Sequence, residues 1–351
     1  MLIDLHAHNL IPDMFDHDDH WGPHFVVKEG GRWNIRVGDW VLDLVTPEDK
    51  AQAAAGNAPS KEAGLAGIPA DPAARLAKMD DAGIDRMVVS LPSHMYMYWT
   101  EPEVNISYSR KVNDANARYC SASDRLDFWA QLPLQEPRAA VAELERAVSE
   151  LGAVGIGMGG ANFGGLEVDD EAMWPVWEKA CELNVPLFVH GHNQSCSWGK
   201  DASRERYEIS SIVGMPHDET ALFWNFICGG VLDHFPQLKV YITHGGGFVP
   251  YQLGRLAGTN QVLGDAKNKK PLTEYMTNFW FDPMVHSLSM RRAVVDVIGI
   301  DRLVYGDNFG GSDGIREDLT DNLGLTVDEQ DRIRGTNALQ LLDRSSALVA
   351  S

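Results

Sequence analysis

The sequence predicts an eight-stranded α/β barrel, the (β/α)8 TIM-barrel fold, and three observations carry that expectation. Eight short apolar runs alternate with helical patterns along the chain, the alternation that builds a parallel sheet. At 351 residues the chain is long enough to close such a barrel as one domain, residues 1–351. Four of the apolar runs end in His or Asp, and a barrel places its chemistry at the C-terminal ends of its strands. A doubly wound open sheet is the alternative. No GxGxxG follows an early strand and no phosphate-binding loop is present, so that alternative lacks its usual functional support.

The first strand, 2–5, runs directly into His6-Ala7-His8. On an extended backbone residues i and i+2 share a side, so both imidazoles aim the same way. Residues 9–70 form an insertion with little periodicity, holding His17 and His20 among aspartates, Arg36, and an Ala/Gly/Pro-rich segment at 51–70. It is expected to be an N-terminal lid over the first strand's end, and the His17/His20 cluster reads as a solvated acidic loop. Asp71-Pro72 then starts a helix as N-cap and N1, and Gly83 ends it. Strands are expected over 86–91, 126–134, 153–158, 185–190, 238–244, 278–282 and 302–307. Helices are expected between them over 105–122, 138–151, 170–183, 217–234, 248–257 and 287–299, followed by a helical C-terminal segment.

Composition narrows the partners. The formal net charge is −20, from 30 basic and 50 acidic residues, which repels nucleic-acid backbones and anionic membranes. An anionic substrate must therefore be drawn in by a locally placed Arg or by a metal. The four cysteines, Cys120, Cys181, Cys196 and Cys228, are scattered without a CxxC pair, which points to a reducing compartment. No signal-peptide pattern or membrane-length apolar run is visible, so a cytoplasmic protein is expected.

The fifth strand ends in His190, the sixth in His244 followed by Gly245-Gly246-Gly247, and the eighth in Asp307. Neutral imidazole is the commonest protein metal ligand, and His and Asp gathered at one barrel mouth read as an open metal site. These residues resemble the amidohydrolase superfamily (amidohydrolase-related family 2). The LFVH, THGGG and YGDNF segments, with Gly254-Arg255, are similar to its aminocarboxymuconate-semialdehyde decarboxylase group.

The resemblance implies that His6, His8, His190 and Asp307 bind one divalent metal, most readily Zn2+ with Mn2+ as the alternative. His244 would stand beside the ion as acid/base, with Asp307 also counted in the catalytic set. It implies nonoxidative decarboxylation of a small unsaturated or aromatic carboxylic acid in a catabolic pathway. Hydrolysis or hydration by metal-activated water is the alternative within the superfamily. The fourth strand, Gly155-Ile156-Gly157-Met158, offers no Lys for a bridge between two metals, which agrees with a mononuclear site. Arg255 matches the place from which the resembling decarboxylases reach into a neighbour's site, implying a homodimer. Arg36 is a second candidate for the substrate carboxylate. The chain departs from that group after His190, where Gly191-His192 replaces Pro-Trp. His192 is therefore a candidate substrate contact.

Overall fold

The computed structural model describes residues 1–28, 32–38, 40–42, 68–192, 209–311, 314–315 and 317–343. In chain order its strands begin with β1 (Ile3–His8), β2 (His24–Lys28), β3 (Arg32–Val37) and β4 (Trp40–Leu42). They continue with β5 (Arg86–Ser90), β6 (Leu126–Gln131), β7 (Gly155–Gly159), β8 (Asn162–Phe163) and β9 (Leu166–Glu167). The last are β10 (Leu187–His190), β11 (Val240–Ile242) and β12 (Phe279–Phe281). One parallel sheet runs β1-β5-β6-β7-β10-β11-β12. The eighth unit, around residues 303–309, closes the ring by isolated pairings: Val304 N–H donates to Phe281 O at 2.9 Å, and Leu5 N–H to Tyr305 O at 3.0 Å. Beyond it, His8 N–H donates to Phe309 O at 2.9 Å. The expected barrel is therefore the observed one, its last strand reduced to bridges to both neighbours.

The helices follow the start and stop chemistry of the sequence. Helix α1 (Pro72–Ala82) is capped by the Asp71 carboxylate on Ala73 N–H and stopped by Gly83 at φ 68°. Helices α2 (Pro102–Cys120), α3 (Pro137–Ser149) and α4 (Trp174–Glu182) pack outside the sheet. They are followed by α5 (Met215–Cys228), α6 (Val231–His234), α7 (Val249–Asn260) and α8 (Leu288–Ile298). The expected helix 217–234 is broken in two, because Gly230 adopts φ 78° and a Cβ on Gly229 would lie 2.2 Å from Asp169 Cβ. None of the described helices is long and apolar enough to cross a membrane. Cys120, Cys181 and Cys228 are free thiols, and Cys196 lies outside the described residues.

The barrel interior is a separate apolar cluster: Ile3, Leu5, Val88, Trp129, Phe188, Tyr241, Trp280 and Val304, closed from below by Ala338 and Leu341. Strand β7 contributes glycines to it. A Cβ on Gly155 would meet the Trp129 ring at 2.7 Å and one on Gly159 would meet Tyr96 at 2.5 Å, so these aromatics occupy the space the strand leaves. In β1, Asp4 pairs with Met87 but Ala7 with Val89, so one extra residue is inserted. This bulge shifts the side-chain parity. Ile3 and Leu5 fill the barrel below it, and His6 and His8 face the same interior above it.

The insertion is more ordered than its sequence suggests. Strands β2, β3 and β4 form an antiparallel sheet in which His24 pairs with Arg36 and Val37 with Trp40. The unpatterned reading fails because the strands are edge-like, with mixed polar and aromatic residues instead of clean alternation. Residues 43–67 lie outside the described residues.

Candidate metal centre

Alternation along each strand brings particular side chains to the barrel mouth. Two residues beyond the interior Phe188 stands His190, and two beyond Trp280 stands Asp282. His244 reaches the mouth differently. It adopts φ 50°, and Gly245, Gly246 and Gly247 follow at φ 66°, 81° and 61°. A left-handed run of this kind is open to glycine and costly for His, so the turn after β11 holds its one bulky residue in a strained conformation at the site.

The result is a cluster of imidazoles. One ligand nitrogen each from His6, His190 and His244 lies within 4.8 Å of the others, the one such His/Cys/Asp/Glu group among the described residues. The His8 ring centroid is 5.6 Å from that of His6 and 5.2 Å from that of His190. Every one of these rings is held by Nδ1. His6 Nδ1 meets Asp282 Oδ2 at 3.1 Å, His8 Nδ1 meets Ser90 Oγ at 3.1 Å, and His190 Nδ1 donates to Gly191 O at 2.9 Å. His244 Nδ1 meets Glu219 Oε1 at 2.6 Å. Outer partners on Nδ1 fix tautomer and ring plane and leave Nε2 for the site, the pattern around histidines that bind metals. Burial, then the neighbouring His244, His8 and His6, keep the His190 pKa well below its ordinary value, so this ring is neutral as a ligand must be. The donor set thus fits a divalent cation.

Carboxylates back the cluster. Asp282 is fully buried and accepts from Tyr241 OH (2.8 Å), Gly245 N–H (3.1 Å) and Met284 N–H (3.2 Å) as well as meeting His6. Burial pushes its pKa up to about 6 against these bonds. Asp4 Oδ1 accepts from His6 N–H at 3.0 Å and Asp307 N–H at 3.4 Å. Burial, and then the adjacent Asp307, hold the Asp4 carboxyl well above the usual range. Behind β1, the buried Arg75 donates to His8 O at 2.8 Å, Asn9 Oδ1 at 3.1 Å and Tyr119 OH at 2.9 Å.

His6, His8, His190 and His244 therefore stand together at one barrel end, and Asp307 adjoins them through Asp4, whose Oδ1 takes both its N–H and that of His6. His192 is buried beside the cluster, its ring 4.9 Å from Trp99 and its backbone N–H on Asp218 Oδ2 at 2.9 Å. Burial lowers the pKa of both His192 and the nearby His94 to about 3, so both rings are neutral. Arg36 donates through Nη1 to His20 O and Gly38 O within its own insertion, and Arg255 is exposed on α7. His17 pairs with Ser107 Oγ at 2.9 Å, as expected of a surface loop. The sequence reading missed Asp4, Asp282 and Glu219. Asp282 obeys the strand-end rule already applied to His190. Glu219 announces itself only as a Glu on the buried i, i+3, i+4, i+7 stripe with Leu222, Phe223 and Phe226.

A family model described as amidohydrolase matches residues 3–344. The chain is 30% identical over 243 residues to a 2-amino-3-carboxymuconate-6-semialdehyde decarboxylase of Dictyostelium discoideum, covering 68% of this chain and 66% of that protein. It is 31% identical over 186 residues to a 2-keto-4-carboxy-3-hexenedioate hydratase of a Sphingobium species, covering 52% of this chain and 51% of that protein. The matched stretches thus span about one half to two thirds of these relatives' own lengths. Among solved structures, a dihydroxybenzoic acid decarboxylase from a Polaromonas species, with bound manganese and the inhibitor 2-nitroresorcinol, superposes with a TM-score of 0.74. It is 20% identical, over 97% of this chain and 96% of that one. At that identity the likeness speaks for the barrel.

Proposed function

The chain belongs to the amidohydrolase family, and from that premise we propose that it is a metal-dependent nonoxidative decarboxylase of a small unsaturated or aromatic carboxylic acid. The observation that carries the reading is the gathering of His6, His190 and His244 within 4.8 Å, with His8 and Asp307 at the same barrel end. The decarboxylase among the relatives matches the longer share of the chain. We assign His6, His8, His190 and Asp307 to one divalent ion, and His244, whose Nδ1 is taken by a carboxylate, to acid–base work. Imidazole donors favour Zn2+, and Mn2+ is the alternative. When bound, the ion supplies positive charge that orients a substrate oxygen and offsets developing negative charge.

The chain's own residues do the rest. The bond between the substrate carbon and its carboxylate breaks, and its electron pair stays on that carbon. A proton from His244 Nε2 joins it, carbon dioxide leaves, and His244 is reprotonated from solvent. His192 and His94, neutral and buried, offer ring nitrogens that bond a substrate substituent without adding charge. Arg255, exposed on α7, is free to serve a second copy in a homodimer. We read the whole chain as a single barrel domain carrying the 9–70 insertion, working in the cytoplasm on a small carboxylate.

The test is elemental analysis of chelator-free protein, wild type and Asp307→Ala, with carbon dioxide release measured on 2,6-dihydroxybenzoate, 5-carboxyvanillate and 2-amino-3-carboxymuconate-6-semialdehyde. About one metal per chain, lost in the variant together with gas release, supports the reading. Folded protein without metal overturns it. The hydratase relative favours one second reading, hydration of an unsaturated acid, which yields a product heavier by one water and no gas.

A further inference from the structure

Resting on that acid–base assignment, we propose that Glu219 is the positioning residue of His244, its carboxylate fixing the ring and its Nδ1 tautomer. Glu219 sits on α5, outside the strand ends that supply the other groups, and is fully buried. One oxygen, Oε1, receives three donors: Gly191 N–H at 3.1 Å, Thr243 Oγ–H at 2.8 Å and His244 Nδ1–H at 2.6 Å. It thereby ties the residue after His190 to the residue before His244, so one side chain sets the spacing of the two strand ends. No Lys or Arg pairs with it among the described residues; His244 is its one ionisable partner there.

A buried carboxylate needs donors to replace its lost hydration, and the His244 ring is one of the three that Oε1 receives. The geometry fixes direction as well. With Nδ1 on Glu219, the His244 ring stands edge-on to His6 and His190, its centroid 5.0 Å and 4.7 Å from theirs. Asp282 does the same for His6, sharing its two oxygens with Tyr241 OH and two backbone N–H groups. One buried carboxylate thus orients each of these two histidines through Nδ1.

Glu219→Gln isolates the charge. The amide oxygen still accepts from Gly191, Thr243 and His244, so a purely structural strut survives the change. Three readings are taken on the full chain: metal content, the downfield Nδ1–H proton resonance of His244 (assigned by its loss in His244→Asn), and steady-state kinetics on the fastest acid of the panel above. We expect wild-type metal content, an upfield move of the resonance, and kcat down about 10–100-fold with KM within about twofold. The double variant is expected to be no slower than His244→Asn alone, because the two residues act as a unit. An unmoved resonance with unchanged kcat overturns the inference, as does loss of metal in step with activity. If His244→Asn itself turns over normally, the acid–base reading fails instead, while the resonance still decides the Glu219 contact.

Discussion

Asp282→Asn is the sharpest test of how the barrel builds its metal site. The wild-type carboxylate divides its oxygens: Oδ1 takes Gly245 and Met284 N–H, and Oδ2 takes Tyr241 OH and faces His6 Nδ1. An asparagine can keep only one half of that arrangement. If its NH2 faces the two backbone N–H groups, two buried donors lose their acceptor, at about 1–3 kcal/mol each. If its NH2 faces outward, Tyr241 can rotate to accept, and the remaining conflict is with His6 Nδ1–H. His6 escapes that conflict by moving its proton to Nε2, the nitrogen turned toward His190 and His244. The second arrangement costs the fold less and costs the site its ligand. We therefore expect metal affinity to fall about 10–100-fold, or ~1.4–2.8 kcal/mol, while the metal-free protein melts within a few degrees of wild type. Competition against a chromophoric chelator measures the first quantity and circular dichroism the second. A folded Asp282→Asn protein that competes for Zn2+ as well as wild type would refute the assignment of the His6 tautomer to Asp282.

Other perturbations probe the barrel around the site. A Cβ on Gly155 would lie 2.3 Å from Pro186 O and 2.7 Å from Trp129 Cζ3, so Gly155→Ala should cost about 1–3 kcal/mol and lower the melting temperature by at least ~2 °C; an unchanged melt would show that Trp129 has room to move. Arg75→Met removes four hydrogen bonds, one of them to Met87 Sδ, from a fully buried guanidinium and should lower the urea midpoint by the equivalent of about 2 kcal/mol or more. Arg75→Lys should not restore it, since a point charge cannot span His8 O, Asn9 and Tyr119. Burial pushes the Cys120 thiol up to about 12, leaving roughly one part in 10^4 as thiolate at pH 8 and tenfold more with each unit of pH up to that value. Mass spectrometry after brief iodoacetamide treatment should find Cys120 unlabelled in native protein and labelled after unfolding; equal labelling would contradict its burial.

The sequence was most legible where one strand end decides one residue. His190 follows the interior Phe188 by two positions, so its place could be read from alternation alone. Asp282 follows Trp280 in the same way and is legible by the same rule. The insertion was not legible, since three short strands of mixed polarity carry no period that separates them from loop. Neither was the register of β1. Ile3 and Leu5 lie inside the barrel, and strict alternation would then place Ala7 inside and His6 and His8 outside. The extra residue between Asp4 and Ala7 reverses that parity. The HxH spacing fixes the two imidazoles relative to each other, whereas the bulge decides that they point at the metal site.

Glu219 marks a different limit. A glutamate on the apolar stripe of α5 is a local conflict: burial of Leu222, Phe223 and Phe226 places it where a charge is least welcome. Conflicts of this kind persist where something else gains from them, and here the gain lies across the fold at His244, 25 residues away in sequence. Periodicity can flag the position, but only the packing of α5 against the ends of β10 and β11 shows which ring it serves. The strained φ of His244 completes the argument: a backbone held at 50° and a ring held by a buried carboxylate are two constraints on one side chain, and a residue required only to fill space would need neither.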